Sequence, residues 1–192
     1  MNYLITGGLG FIGGHLANKL ILNKKNNVII IDNLSNPSKN VLNKKIKVYY
    51  GDVSDYNFVK KVIIKNRIKI IYHLSAIINS SILNENQFSD VKTTIISTLN
   101  LLKIVKLYPD KKIIFGSSVA VYGASKGKLL KENSICRPIF SYSLCKKTAE
   151  DYILYFANYF SLNYAIVRIG NVYGPYQPKI GEVGVVNIFI KN

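Results

Sequence analysis

Short apolar runs alternate with longer segments of helical periodicity along almost the whole chain. Tyr3-Leu4-Ile5 reads as the end of a buried strand, and Phe11, Ile12, His15, Leu16, Lys19 and Leu20 then recur at helical spacing. Val28-Ile29-Ile30-Ile31 is a second run, rich in β-branched residues as a strand buried on both faces should be. Ile46 to Tyr50 forms a third, closed by Gly51-Asp52. A helical segment from about Asp55 to Asn66 leads into Ile70-Ile71-Tyr72-His73-Leu74. A long one from about Asn86 to Leu107 precedes Ile113-Ile114-Phe115, and another from about Tyr142 to Phe160 feeds Tyr164-Ala165-Ile166-Val167. Pro109 and Pro138 fall at connections, where the missing N–H is tolerated. The alternation predicts an α/β fold, a doubly wound parallel sheet with helices on both faces. Ligands of such sheets gather beyond the carboxyl ends of the strands, and Asp32, Asp52 and Ser75 all stand at such ends.

Composition narrows the class. The chain has 192 residues, 48% hydrophobic and 19% charged, enough for one packed domain and unlike a disordered segment. Its formal net charge of +16 invites a nucleic-acid or membrane partner. Only Arg67, Arg137 and Arg168 are arginines, however, and the lysines are dispersed instead of clustered. Lys24-Lys25, Lys44-Lys45 and Lys111-Lys112 read as solvated turns beside strands, so we expect no nucleic-acid partner. No apolar stretch approaches a membrane span, and glycines interrupt the first eight residues, against a secretory signal. Cys136 and Cys145 form neither a metal spacing nor a disulfide framework, which points to a reducing cytoplasm and no bound metal. His15 and His73 read as helix and strand-end residues.

The first strand–helix junction carries the first chemistry. Thr6-Gly7-Gly8-Leu9-Gly10-Phe11-Ile12-Gly13 places a glycine turn between a strand and a helix start. Backbone N–H groups and the helix dipole favour an anion there, and glycines let a pyrophosphate approach the backbone. About 20 residues on, the second strand ends in Asp32, where a dinucleotide-binding (Rossmann) unit places its ribose-binding carboxylate. A carboxylate there would repel a 2′-phosphate, so the expected cofactor is NAD, not NADP.

The second piece of chemistry lies downstream. At the end of the fifth strand comes Gly116-Ser117-Ser118-Val119-Ala120-Val121-Tyr122-Gly123, and Tyr142-Ser143-Leu144-Cys145-Lys146 opens a helix. Tyr142 and Lys146 are four apart and share a helix face. An ammonium held near a phenol favours the phenolate, which makes Tyr142 a general base near neutral pH. Lys146 would donate to a cofactor ribose, and a serine at the strand end would bridge Tyr142 and a substrate hydroxyl.

Taken with Asp32-Asn33-Leu34-Ser35, Gly51-Asp52-Val53, His73-Leu74-Ser75-Ala76, Thr98-Leu99-Asn100-Leu101-Leu102 and Arg168-Ile169-Gly170-Asn171-Val172-Tyr173-Gly174-Pro175, these motifs resemble the extended short-chain dehydrogenase/reductases that act on nucleotide sugars, nearest to the UDP-glucose 4-epimerase group. The resemblance implies that Gly7, Gly10, Phe11, Ile12 and Gly13 cradle the pyrophosphate of NAD. Asp32 and Asn33 would lie near the adenosine ribose, Asp52 and Val53 beside the adenine, and Leu74, Ser75 and Ala76 on the path toward the nicotinamide. Ser118 and Tyr142 would be the catalytic pair, with Lys146 on the nicotinamide ribose and Asn171 on the sugar nucleotide. It further implies that Tyr142 takes the proton of the sugar 4-hydroxyl while hydride passes to the cofactor, and that the 4-keto sugar turns over before the hydride returns. The related dehydratases and decarboxylases need an acidic residue just after the catalytic hydroxyl, where this chain has Val119 and Ala120. Dimers built on the two long helices are common in the family, so a homodimer is implied.

Two departures stand out. The family's Asn-x-x-Gly-Thr pattern beside the cofactor is replaced by Thr94, Ser97 and Thr98; Thr94 at the Asn position can hydrogen-bond but reaches less far than an Asn side chain. Residues 1–175 then form the NAD-binding unit with its catalytic residues, and 176–192 read as the start of a truncated substrate lobe, Val183 to Ile190 being its first element. A nucleotide-sugar 4-epimerase, another nucleotide-sugar oxidoreductase, a non-catalytic NAD-binding remnant and a basic binding protein of the same fold therefore all stay open.

Overall fold

The computed structural model describes residues 1–38, 42–76, 87–124, 127 and 129–177, so the element expected over Val183 to Ile190 lies outside the described residues. The strands are β1 (Asn2–Thr6), β2 (Asn27–Asp32), β3 (Lys47–Tyr50), β4 (Ile70–His73), β5 (Lys112–Ser118) and β6 (Asn163–Ile169). They form one parallel sheet in the order β3-β2-β1-β4-β5-β6. The order reverses between β1 and β4, which opens a crevice at their carboxyl ends.

Period-two alternation decides which face each strand residue takes. Leu4, Ile29 and Ile31 join a core with Val59, Ile63, Leu101, Leu102 and Ile153 from the helices on one face. Their neighbours Ile5, Val28 and Ile30 pack with Ala17 on the other. The helices are α1 (Phe11–Leu20), α2 (Tyr56–Lys65), α3 (Gln87–Asp90), α4 (Ser97–Lys106) and α5 (Ser141–Phe160). The Asp55 carboxylate starts α2 by accepting from Phe58 N at 3.0 Å. At the start of α5, the Ser143 hydroxyl accepts from Phe140 N and donates to its carbonyl.

Helix α1 forms where the helical spacing places it, and it buries Gly13, Gly14 and Ala17 while His15 and Lys19 are exposed, because close packing on the glycine turn demands the small face. The fifth strand closes on Gly116, Ser117 and Ser118 as expected, and a 3₁₀ turn over Val119–Tyr122 follows. Two expectations need correction. The long helix is not uniform: α3 passes into π-helical turns over Val91–Ile96 before α4. Lys111 is no solvated turn residue; it is buried, and its ammonium donates to the Ile68 carbonyl at 2.9 Å.

Candidate functional site

A cleft of about 520 Å³ opens at the carboxyl end of the sheet. Its floor is the β1–α1 turn. Gly7 has φ +68°, and a Cβ there would lie 2.9 Å from Ser75 N. A Cβ on Gly13 would lie 2.4 Å from the Gly7 carbonyl oxygen, so the helix packs on the turn only because Gly13 has none. No side chain caps α1 and its first turn carries no acid, which leaves the helix N-terminus to an anion.

Asp32 closes one end of the cleft. Its Oδ2 accepts from Leu9 N at 2.9 Å and its Oδ1 from Leu34 N at 2.8 Å, so the carboxylate braces the glycine turn against the loop after β2. Asp52, at the end of β3, accepts from Ser54 N at 2.8 Å and pairs with Lys92 at 3.0 Å. Burial opposes its ionisation, but the Ser54 N–H and the Lys92 ammonium outweigh that and hold its carboxyl below the ordinary value.

The far wall carries the tyrosine and the lysine. Lys146 reaches from α5 under the cleft, its Nζ donating to the Gly116 carbonyl at 2.6 Å and standing 5.9 Å from the centre of the Tyr142 ring. Burial pulls its pKa down to about 7, against the opposing pull of Cys145 and Glu150. Both serines line the cleft, and their hydroxyls part company: Ser118 accepts from Ala120 N, whereas Ser117 donates to the buried Glu150.

Beneath the floor, His73 is wholly buried, and burial first, then Lys146, pushes its pKa down to about 3. Ser97 and Thr98 each donate their hydroxyl proton to a helix carbonyl, Ser97 to Thr93 and Thr98 to Thr94. They are therefore acceptors at His73 Nε2, at 3.2 and 3.1 Å, while Nδ1 accepts from the Thr6 hydroxyl at 2.7 Å. The neutral ring thus ties β1, β4 and α4 together directly below the glycine turn.

The cleft brings together Gly7, Gly10, Phe11, Ile12, Gly13, Asp32, Asn33, Asp52, Val53, Leu74, Ser75, Ala76, Ser118, Tyr142, Lys146 and Asn171. Thr94 is elsewhere. Its hydroxyl is buried without a partner, as is the Asp90 carboxylate one helical turn before it, and Thr93 faces the cleft in its place. The π-helical turns separate these two positions in a way that helical spacing alone does not show. Sequence reasoning also missed Ser35, Asn36, Phe140 and Gln177 in the lining. Ser35 and Asn36 were one step away, following Asn33 in a polar turn. Gln177 enters only because the chain after β6 folds back on α1, where His15 bonds the Pro175 carbonyl at 2.9 Å. Among the described residues no cluster of His, Cys, Asp or Glu is arranged to hold a metal, and no helix is long and apolar enough to cross a membrane.

The uncapped helix, the Cβ-free turn and the carboxylate at the end of β2 fit a dinucleotide. Residues 3–192 match the NAD dependent epimerase/dehydratase family. A UDP-glucose 4-epimerase from Thermotoga maritima, solved with UDP-glucose, superposes with a TM-score of 0.90 at 37% identity, over 98% of this chain and 62% of its own. The UDP-glucose 4-epimerase of Thermus thermophilus, solved with NAD, gives 0.90 at 31% identity, over 98% and 61%. A dTDP-D-glucose 4,6-dehydratase of Dictyostelium discoideum is 32% identical over 208 residues, 98% of this chain and 48% of its own length. The chain thus spans between about half and three-fifths of the length of these relatives.

Proposed function

The chain belongs to the NAD-dependent epimerase/dehydratase family, and from that membership we propose that it binds NAD and serves the 4-epimerisation of a nucleotide sugar of the UDP-glucose/UDP-galactose type. The observation that carries this reading is the convergence of Ser118, Tyr142 and Lys146 on the cleft that the glycine turn floors. When bound, NAD⁺ supplies a hydride acceptor. Gly7, Gly10 and Gly13 leave room for its pyrophosphate at the N-terminus of α1, and Asp32 takes the adenosine ribose.

Tyr142 is the proton acceptor for the sugar 4-hydroxyl, and Ser118 orients that hydroxyl. The buried Lys146 ammonium, beside the Tyr142 ring, favours the phenolate and would donate to the nicotinamide ribose. Asn171 meets the sugar nucleotide at the cleft mouth. The choice of epimerisation over dehydration or decarboxylation rests on Val119 and Ala120: neither can move the second proton that those reactions require.

The test supplies the chain with NAD⁺ and UDP-galactose and follows UDP-glucose by proton NMR. Conversion is expected, and Tyr142→Phe should abolish it while NAD⁺ affinity changes by no more than about twofold, since the phenol acts on the transferred proton and not on cofactor binding. Conversion that persists in Tyr142→Phe overturns the assignment of the base. NAD⁺ uptake without any conversion favours the non-catalytic NAD-binding remnant instead.

A further inference from the structure

One buried carboxylate stands between two cations behind the cleft. Glu150 lies one helical turn beyond Lys146 on α5 and is 1% exposed. Arg168 of β6, in register with Ser117 of β5, donates from Nε to Glu150 Oε1 at 3.0 Å and from Nη2 to Oε2 at 2.7 Å. Its remaining nitrogen, Nη1, donates to the Tyr122 hydroxyl at 2.7 Å and to the Glu132 carbonyl at 2.9 Å. The Ser117 hydroxyl completes the set on Oε1.

An i, i+4 spacing on a helix is the geometry at which a lysine and a glutamate ordinarily pair, and burial strengthens the attraction. Here they do not pair. Lys146 donates to the Gly116 carbonyl, and the Glu150 oxygens go to the guanidinium fork, whose paired donors match a carboxylate as one ammonium does not.

We propose that Arg168 is a positioning residue for Lys146: by taking both oxygens of Glu150 it keeps that carboxylate from closing onto the ammonium one turn away, and so leaves Lys146 on the Gly116 carbonyl, facing the cleft. The groups around the ammonium are few. Tyr142, Cys145 and Glu150 stand on its own helix, with Asp90 acting on Cys145 from α3. The neutral His73 faces it from β4, and the Phe115 ring, 4.7 Å away, from β5. Among these, Glu150 is the carboxylate whose movement would change what Lys146 offers to a ligand. The consequence for function rests on the reading of the cleft as an NAD site, but the arrangement belongs to the cofactor-free chain and is tested there.

The experiment follows the lysine ¹³Cε resonance of Lys146 against pH in the cofactor-free chain, assigned with Lys146→Arg, and titrates each variant with NAD⁺ by calorimetry. In the wild type the midpoint is expected at about 7, where burial pulls Lys146 down. In Arg168→Gln the freed Glu150 should raise the midpoint by about one pH unit or more, and NAD⁺ affinity should fall by about tenfold as the ammonium leaves the cleft. The double variant Glu150→Gln/Arg168→Gln should lose that rise. Should Arg168→Gln fail to fold, Arg168→Lys, which keeps the charge but cannot hold both oxygens, must still move the midpoint upward. An unchanged midpoint in the single variants, or a rise that survives in the double variant, overturns the proposal. A wild-type chain that takes up no NAD⁺ would overturn the cofactor reading while the lysine titration still decides this one.

Discussion

Gly13 has no room for a side chain: besides the Gly7 oxygen at 2.4 Å, a Cβ would meet Gly8 Cα at 2.7 Å. Both obstacles are backbone, so the turn itself would have to move. Gly13→Val should therefore destabilise the fold by about 1–3 kcal/mol, the usual cost of overpacking, and abolish NAD⁺ binding; a variant with wild-type urea midpoint and affinity would show that the turn is looser than it stands. At this scale the sequence is legible where a residue type has one use. Glycines in a strand–helix turn and a carboxylate at a strand end could be located by spacing alone. Thr93 and Thr94 could not, because which of two adjacent threonines faces the cleft depends on the π-helical turns. Nor could spacing tell Ser117 from Ser118: both line the cleft, and only the Glu150 carboxylate, 33 positions on, takes up the Ser117 hydroxyl. The lysine of Lys111-Lys112 that is buried owes its burial to the Ile68 carbonyl, 43 positions away in sequence.

The strands and helices are joined at the site by His73. Its ring makes the bonds that hold the end of β1, the end of β4 and the first turn of α4 in one arrangement, and these depend on its being neutral. Its pKa is about 3 in the folded chain against the ordinary 6.5, so between these limits the unfolded chain binds a proton that the folded one refuses. Stability should then fall as pH drops from about 6.5 toward about 3. Urea midpoints measured from pH 7 to 4.5 should decline in the wild type and decline less steeply in His73→Gln. Equal slopes would remove the histidine from the account. The elements themselves were largely readable from periodicity, since a strand buried on both faces leaves a β-branched run such as Val28 to Ile31, and helical segments follow β1, β3, β4 and β5. Their ends were less so: the apolar run of β5 stops at Phe115, and Gly116 and the two serines extend the strand through pairing with β6.

For the molecule as a whole, the reversal of strand order between β1 and β4 places one cleft where the two halves of the sheet meet. Residues from every strand end converge there: β1–α1 supplies the turn, β2 Asp32, β3 Asp52, β4 Ser75, β5 Ser118, and the segment after β6 Asn171. Tyr142 and Lys146 arrive from α5, across the same face. The net charge of +16 enters little into this, since its lysines are spread along the chain and the cleft holds carboxylates at one end. Those carboxylates give the account its sharpest consequence. Asp32 already accepts two backbone N–H groups, so it is fixed in place and cannot turn away from a 2′-phosphate. Calorimetric titration of the purified chain with NAD⁺ and, separately, with NADP⁺ therefore tests the central claim most directly. One site per chain for NAD⁺, with NADP⁺ weaker by about tenfold or more, is the expected result. A chain that binds neither dinucleotide, or binds both equally, contradicts it.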